Sequence, residues 1–456
     1  MLLLLLLLAI PAAAESVEIV RDAYGTPHIF ATTAAGAAFG AGYAQAEDRP
    51  AALLKNLTSA EASITLTPDV QAIVDAYVAG ANRSFGEPRI TAAQVIAFSR
   101  QAYTSIHGSN DLFLGPTRTT SKALTAILDP IADWNASDRP YEMSLYASST
   151  DLSIAGVAPP GMPFPIVGHS QYIAIGWSGD PAPAGPRAIE EAWSLITSHS
   201  ITDLRRALAM NQIPGRVSCG AATGELCQQD IPSAAHPIVK EKLRVQQTWS
   251  FGGIEALAFS TEVYKAETWQ RLLSRLEPNS KFVRILTNWN RRADADSRGA
   301  LAFYLFKMEL ARDATALEPP DSLSPARILA ALTRAQDRLE TELDFNATYG
   351  SIFRISRDTS RAAFSAAGGI LPEAGIETPR TLYFTGNRTH SGQAATRIVE
   401  LSRIPTATSI LISGVSDDPA SPHFEDQSRL LKPKPTYFRN RRELERAASS
   451  GRQLVF

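Results

Sequence analysis

The run Tyr103-Thr-Ser-Ile-His-Gly-Ser-Asn-Asp111 is short and polar, and its Ser109 directly follows a glycine. A serine hydroxyl is a weak nucleophile and needs a base beside it. Gly108 suits a bond that is to be attacked, because glycine enters backbone geometry that a Cβ would forbid. Other runs offer other chemistry. Gly168-His-Ser-Gln-Tyr172 comes close to the nucleophile elbow G-x-S-x-G, but Tyr172 stands where the last glycine belongs and a strand follows instead of a helix. His28, His169 and His423 lack H-E-x-x-H spacing or paired carboxylates, so each reads as structural, and no metal or other cofactor is expected. In Ser421-Pro-His-Phe-Glu-Asp-Gln427 the adjacent Glu425 and Asp426 would face opposite sides of a strand, which argues against a glycosidase pair. Phosphate-binding loops are absent from the sequence.

These residues must be held by elements that the pattern suggests. Residues 17–21 and 27–31 read as strands around a turn at Tyr24-Gly25. Residues 35–49 read as a helix in which Gly40 and Gly42 permit close packing. A second helix opens at Thr67-Pro68-Asp69, with Thr67 as its cap. Val70, Val74, Tyr77, Val78 and Ala81 form its apolar face. After Ser109 the chain turns to strand and loop, at 172–176, 397–401 and 409–412. A helix after Ser324 aligns Ile328, Leu332, Ala335 and Leu339, and residues 439–446 read as a solvated helix face. With few alternating β-α-β units, the pattern points to a layered α+β protein.

Bulk properties exclude several roles. A net charge of −2 gives no electrostatic case for nucleic acid or an acidic membrane as partner. Nothing beyond the first few residues has the apolar length to span a bilayer, so the sequence predicts a soluble protein. Residues 2–10 are apolar and lead through Pro11 to Ala12-Ala-Ala14, which reads as a secretory signal cut after Ala14, with a retained lipid-facing anchor as the alternative. A periplasmic or secreted location follows from the first reading. Two cysteines exclude a disulfide scaffold or a four-cysteine zinc site. If 217–219 and 226–228 pair as a hairpin around Thr223-Gly224, Cys219 and Cys227 stand opposite each other, close enough for a bridge that an exported protein would oxidise. Otherwise they are two small apolar residues.

Several runs carry a resemblance. Upstream of Ser109 lie Arg21-Asp-Ala-Tyr-Gly-Thr-Pro-His-Ile-Phe-Ala31, Phe39-Gly-Ala-Gly-Tyr-Ala-Gln-Ala-Glu-Asp-Arg49 and Tyr77-Val-Ala-Gly-Ala-Asn82. Downstream lie Gly161-Met-Pro163, Gly168-His-Ser170 and the 421–427 run. In this order they resemble the penicillin acylase family of amino-terminal-nucleophile hydrolases, which includes acyl-homoserine lactone acylases. The likeness is strongest at 17–49, 108–179 and 408–430.

The resemblance implies a four-layer αββα sandwich built from two chains of one precursor. Residues 1–14 are then the signal peptide, 15–108 the first chain and 109–456 the second, both in one catalytic domain. It implies cleavage between Gly108 and Ser109, after which Ser109 is the nucleophile and its own α-amino group, with an ordinary pKa of about 7.7–8.0, is the base. Matching residue by residue puts a backbone oxyanion donor at Gly179 and acyl-pocket positions at Ala132, Trp134 and Val167, with core packing as the other reading of those three. The substrate is then an N-acylated small molecule, an acyl-homoserine lactone or a penicillin-type compound. The chain also departs from the pattern. Ile131 follows Asp129-Pro130, where the family commonly has histidine or glutamine. No asparagine sits in a matching motif for the second oxyanion donor, although Asn211, Asn288 and Asn290 are available. The calcium ligands of some relatives have no counterpart, since Asp180 runs into Pro181. These departures keep open a non-catalytic, acylase-like binding or structural protein.

Overall fold

The structure, a computed structural model, describes residues 16–58, 64–178, 182–227, 235–276, 280–312, 319–357, 363–430, 433–438, 441–447 and 453–455. It is a mixed α+β fold with helices and three sheets. The amino-terminal expectations match closely: strands run Glu18–Arg21 and Pro27–Ala31, antiparallel, with Gly25 at φ 77° in the turn between them. They join Tyr141–Ala147, Leu152–Ala158, Val167–His169, Ile173–Ser178, Arg216–Ala221 and Gln453–Val455 in an eight-stranded sheet.

Alternation along Tyr141–Ala147 gives this sheet two different faces. Met143 lies towards the helix Ala34–Asp48, where Gln45 Nε2 approaches its sulfur at 3.7 Å. Glu142 accepts from Arg397 Nη2 (2.7 Å), Lys434 Nζ (3.0 Å) and the Ser409 hydroxyl. Those three partners belong to the five-stranded sheet made by Leu112–Leu114, Leu124–Leu128, Ala395–Leu401, Thr406–Leu411 and Lys434–Pro435. Lys434 also reaches Asp22 Oδ2 at 3.4 Å, so buried charges of both signs tie the two sheets. On the five-stranded sheet, Leu112, Leu114, Ile127 and Ile398 pack with the helix Phe251–Ala258. A second large core gathers the helices Arg298–Ala311 and Pro325–Thr341 against the remaining sheet, whose strands include Arg388–Gln393, Pro130–Asp133 and Gly108–Ser109.

Helix packing at the amino end depends on small residues. Helices Ala34–Asp48 and Pro68–Phe85 approach so closely that a Cβ on Gly42 would lie 2.0 Å from the Tyr77 carbonyl oxygen. Gly40 is also needed, but against the Ile29 side chain, at 2.4 Å. Thr67 stands at the N-cap of the helix Pro68–Phe85 with Pro68 in the first turn, as expected, but its side chain accepts no helix N–H, and its own N–H donates to Glu190 Oε1 at 2.7 Å. The helix buries Val70, Ile73, Val74, Tyr77 and Ala81, while Val78 is only half-buried. Residues 421–427 form turns instead of a strand, because the segment is organised by side chains. Gln427 Oε1 accepts the Leu411 N–H (2.9 Å), His423 pairs with Asp426 (2.8 Å), and the His423 ring lies where a Cβ on Gly25 would be. The closing helix Arg441–Ala447 buries only Leu444, which packs with Val20 and Phe438, while Arg441 and Glu443 are half-buried and the rest exposed.

Arg49 ends the first helix fully buried. Its guanidinium donates to the carbonyls of Val415 (2.8 Å), Gly414 (2.7 Å), Arg139 (3.1 Å) and Pro140 (3.0 Å). Arg139 and Arg357 meet Asp417 beside it. Among the described residues, no helix is long and apolar enough to cross a membrane.

Overpacking a helix crossing costs about 1–3 kcal/mol. Gly42→Ala is expected to lower the unfolding free energy by that amount, read as a lower urea midpoint, whereas Gly252→Ala, in a helix and with nothing within 4 Å of its Cβ, is expected not to lower it.

Candidate active site

Three strands pass from the second-core sheet into the five-stranded sheet through bends. Gly108–Ser109 leads into Leu112–Leu114, Leu124–Leu128 leads into Pro130–Asp133, and Arg388–Gln393 leads into Ala395–Leu401. The three bends meet, and Asp129 sits in the middle one, fully buried. Its carboxylate accepts from Asn110 Nδ2 (2.8 Å), Gln393 Nε2 (2.7 Å) and Thr396 Oγ1 (2.6 Å), one or more donors from each neighbouring bend. Burial raises this carboxyl above its ordinary range, and the three donors together with the charge of Arg380 offset only part of that rise.

Ser109 pairs with Pro130 and Gly108 with Ile131. The flanking bonds run from His107 N–H to the Ile131 carbonyl (2.8 Å) and from Asn110 N–H to the Asp129 carbonyl (3.1 Å). Ile131 therefore contributes its backbone, as its side chain requires. Gly108 has φ 154°, a conformation that favours glycine even though a Cβ there would meet no atom within 4 Å. Ser109 is half-buried and lines a cavity of about 100 Å³ with Asp111, Leu112, Ser178, Val239 and Leu257.

Asp111, two residues on, is the site residue that sequence reasoning passed over. It is buried, and its Oδ1 accepts the Asp129 N–H at 2.9 Å. Oδ2 lies only 2.1 Å from where a Cβ on Gly176 would stand, so the strand Ile173–Ser178 admits the carboxyl through that glycine alone. Burial pushes Asp111 up to about 7, opposed by the Asp129 N–H and a hydrogen bond with the Ser109 side chain, and reinforced by the charge of Asp129. His236 lines the same cavity at the start of the helix Pro237–Val245, where its Nδ1 accepts the Ile238 N–H (3.2 Å) and its Nε2 faces Glu377 at 3.3 Å. Burial holds His236 down at about 4, so the ring is neutral at pH 7. A lone histidine in a stretch without a recognisable motif gave no sequence signal for this placement.

The other expected residues are dispersed. Ala132 and Trp134 are buried in the second core, Val167 is buried in the first, and none of the three lines the cavity beside Ser109. Trp134 Nε1 has no hydrogen-bond partner among the described residues. Gly179 and Asp180 lie outside the described residues, immediately after the cavity-lining Ser178. Asn211, Asn288 and Asn290 do not line the cavity. Cys219 and Cys227 are joined by a disulfide with Cα atoms 5.2 Å apart, across a turn whose Cys227 N–H donates to the Cys219 carbonyl at 2.9 Å. His169 is buried beside Arg397, and burial pushes it down to about 3. Among the described residues no group of three or more His, Cys, Asp or Glu is arranged to hold a metal ion.

A family model described as penicillin amidase matches residues 16–55, 85–179 and 238–437. The chain belongs to the penicillin amidase family. Membership places it among amide hydrolases that act on acylated substrates, and the matched blocks include Ser109, Asp111, Asp129 and the bends around them. A solved structure, the thermostable penicillin G acylase from Alcaligenes faecalis in an orthorhombic form, is similar over 76% of this chain and 99% of that one, with 10% identity and a TM-score of 0.47. No curated protein matches. Residues 56–84, which hold the helix Pro68–Phe85, fall outside the matched blocks.

A carboxyl raised from 3.8 to about 7 stabilises the fold fully below pH 4, and this contribution is lost as the pH rises through 7. A tenfold change in proton affinity is worth about 1.4 kcal/mol. In a Ser109→Ala background, Asp111→Asn is therefore expected to remove a stability loss of a few kcal/mol between pH 4 and 8, read by urea unfolding across that range.

Proposed function

We propose that this chain is an exported, self-processing amidase that hydrolyses the amide bond of an N-acylated small molecule. The observation that carries the reading is the position of Ser109: it lines a cavity, directly after a glycine held at φ 154° on a paired strand. Cleavage of the Gly108–Ser109 bond exposes an α-amino group on the nucleophile itself. That amine, partly neutral near pH 8, takes the hydroxyl proton as Oγ attacks the substrate carbonyl. An acyl-enzyme forms, the amine product leaves, and water clears the ester. Gly179 supplies a backbone N–H to the developing oxyanion, which fits its place after Ser178 on the cavity wall.

The pairwise packing of helices on the first sheet, that sheet on the five-stranded sheet, and the helix Phe251–Ala258 beyond it supports the four-layer αββα arrangement. Residues 15–108 and 109–456 then form two chains of one domain, after removal of a signal peptide ending at Ala14 in the periplasm or outside the cell. Leu112, Ile127, Val239 and Leu257 give the cavity an apolar lining for an acyl group. That lining favours a fatty-acyl group, as on an acyl-homoserine lactone, ahead of a penicillin-type side chain. Ala132, Trp134 and Val167 serve this acyl group only if the cavity deepens towards the two cores in which they are buried.

A second reading, an acylase-like shell that binds without catalysis, is favoured by one observation: none of Asn211, Asn288 and Asn290 lines the cavity. Loss of one oxyanion donor reduces rate by about 10²–10³-fold, which weakens the chemistry without abolishing it. A denaturing gel with amino-terminal sequencing decides between the readings. The enzyme gives two chains, the second beginning at Ser109, and Ser109→Ala gives one. A single intact chain from the unaltered protein overturns the amidase, and release of free homoserine lactone across a panel of acyl lengths then ranks substrates.

A further inference from the structure

The amine that serves as base in the mature enzyme does not exist before the first cut. While Gly108 and Ser109 are joined, the Ser109 nitrogen is an amide with no basicity to offer. We propose that Asp111 is the base for that first cut, receiving the Ser109 hydroxyl proton as Oγ attacks the Gly108 carbonyl carbon. This inference rests on the self-processing reading given above.

The groups around Ser109 leave one carboxyl for the task. Asp129 is engaged by Asn110, Gln393 and Thr396, and Arg380 lies behind it. His236 has its Nδ1 occupied by the Ile238 N–H and its Nε2 turned to Glu377. Arg216, the other charged residue on the cavity wall, is a cation and accepts nothing. The strand packed against Asp111, Ile173–Ser178, carries no titratable side chain. Asp111 itself accepts the Asp129 N–H at Oδ1, its Oδ2 is buried without a hydrogen-bond partner among the described residues, and the Ser109 side chain is the carboxyl's other polar neighbour. Gly176 holds the carboxyl in this position, since any Cβ there would displace it. Burial keeps its proton affinity near neutrality, where a base is most effective.

The step balances within the chain. The Oγ–carbon bond forms as the proton passes to the Asp111 carboxylate. The Gly108–Ser109 carbon–nitrogen bond then breaks as Asp111 returns the proton to the Ser109 nitrogen. Water hydrolyses the resulting ester, leaving the Gly108 carboxylate, the free Ser109 hydroxyl and its new amine.

The test follows newly made full-length chain from cell-free synthesis on a denaturing gel, in buffers from pH 5 to 9. The unaltered chain is expected to cut tenfold faster per pH unit up to about 7 and to level off above it. Asp111→Asn is expected to slow the cut at pH 7 by about 10²–10⁴-fold and to lose that pH dependence. Gly176→Ala, which displaces the carboxyl without touching Ser109, is expected to slow it in the same sense. If the unaltered chain cuts and Asp111→Asn cuts equally fast, the inference falls while the amidase reading stands. A flat profile for the unaltered chain overturns it even where a variant does not fold. If the unaltered chain never cuts, the self-processing reading itself fails.

Discussion

The arrangement depends on one buried carboxylate, Asp129, gripping three strand bends at once. A strand that leaves one sheet for another breaks its ladder of hydrogen bonds, and the freed backbone groups need partners. Asp129 sits where three such departures coincide and collects Asn110, Gln393 and Thr396. A fully buried carboxylate is tolerated only with such a set of donors, and stripping one partner from a buried charge is strongly destabilising. The corner is therefore stiff. Ser109 inherits that stiffness, because the bonds on either side of it run to Ile131 and Asp129.

A second carboxyl beside the first changes the electrostatics of the corner. Asp129 has three side-chain donors set against its burial, whereas Asp111 has one N–H, with the Ser109 side chain beside it. The better-solvated member of such a pair raises the proton affinity of the poorer one. The disparity comes from how donors are distributed, and Gly176 keeps it in place by leaving space for Asp111 and nothing more. Chemistry at the corner thus draws on three elements from distant parts of the chain, none of which carries a motif of its own.

Local pattern made much of the scaffold legible. The paired strands at the amino end, the glycine-bearing helix, the Ile328 face and the closeness of Cys219 to Cys227 all follow from short-range rules of turn chemistry and periodicity. Legibility failed where long-range partners override those rules. Thr67 does stand at the N-cap, but its side chain bonds no helix N–H, and its own N–H goes to Glu190, 123 residues away. Residues 421–427 looked extended and are folded by His423, Asp426 and Gln427. At the candidate site, Ser109 was legible through its neighbours, whereas Asp129 read only as the residue before a proline. Its role depends on Gln393, 264 residues on. Residue type announces that Asp111 is acidic, and only the fold announces that it is buried.

Arg49 and Lys434 bear on what the proposed cleavage at residue 108 would do to cohesion. Arg49 belongs to the segment before the cut, and all four carbonyls it grips belong to the segment after it. Lys434 makes the reverse connection, reaching back to Asp22 and Thr26. Separating the two pieces would leave ions stranded in both newly opened surfaces. On the proposed reading, breaking that peptide bond would remove the tether and none of the adhesion, so the two pieces would stay together as halves matched before they were ever separate.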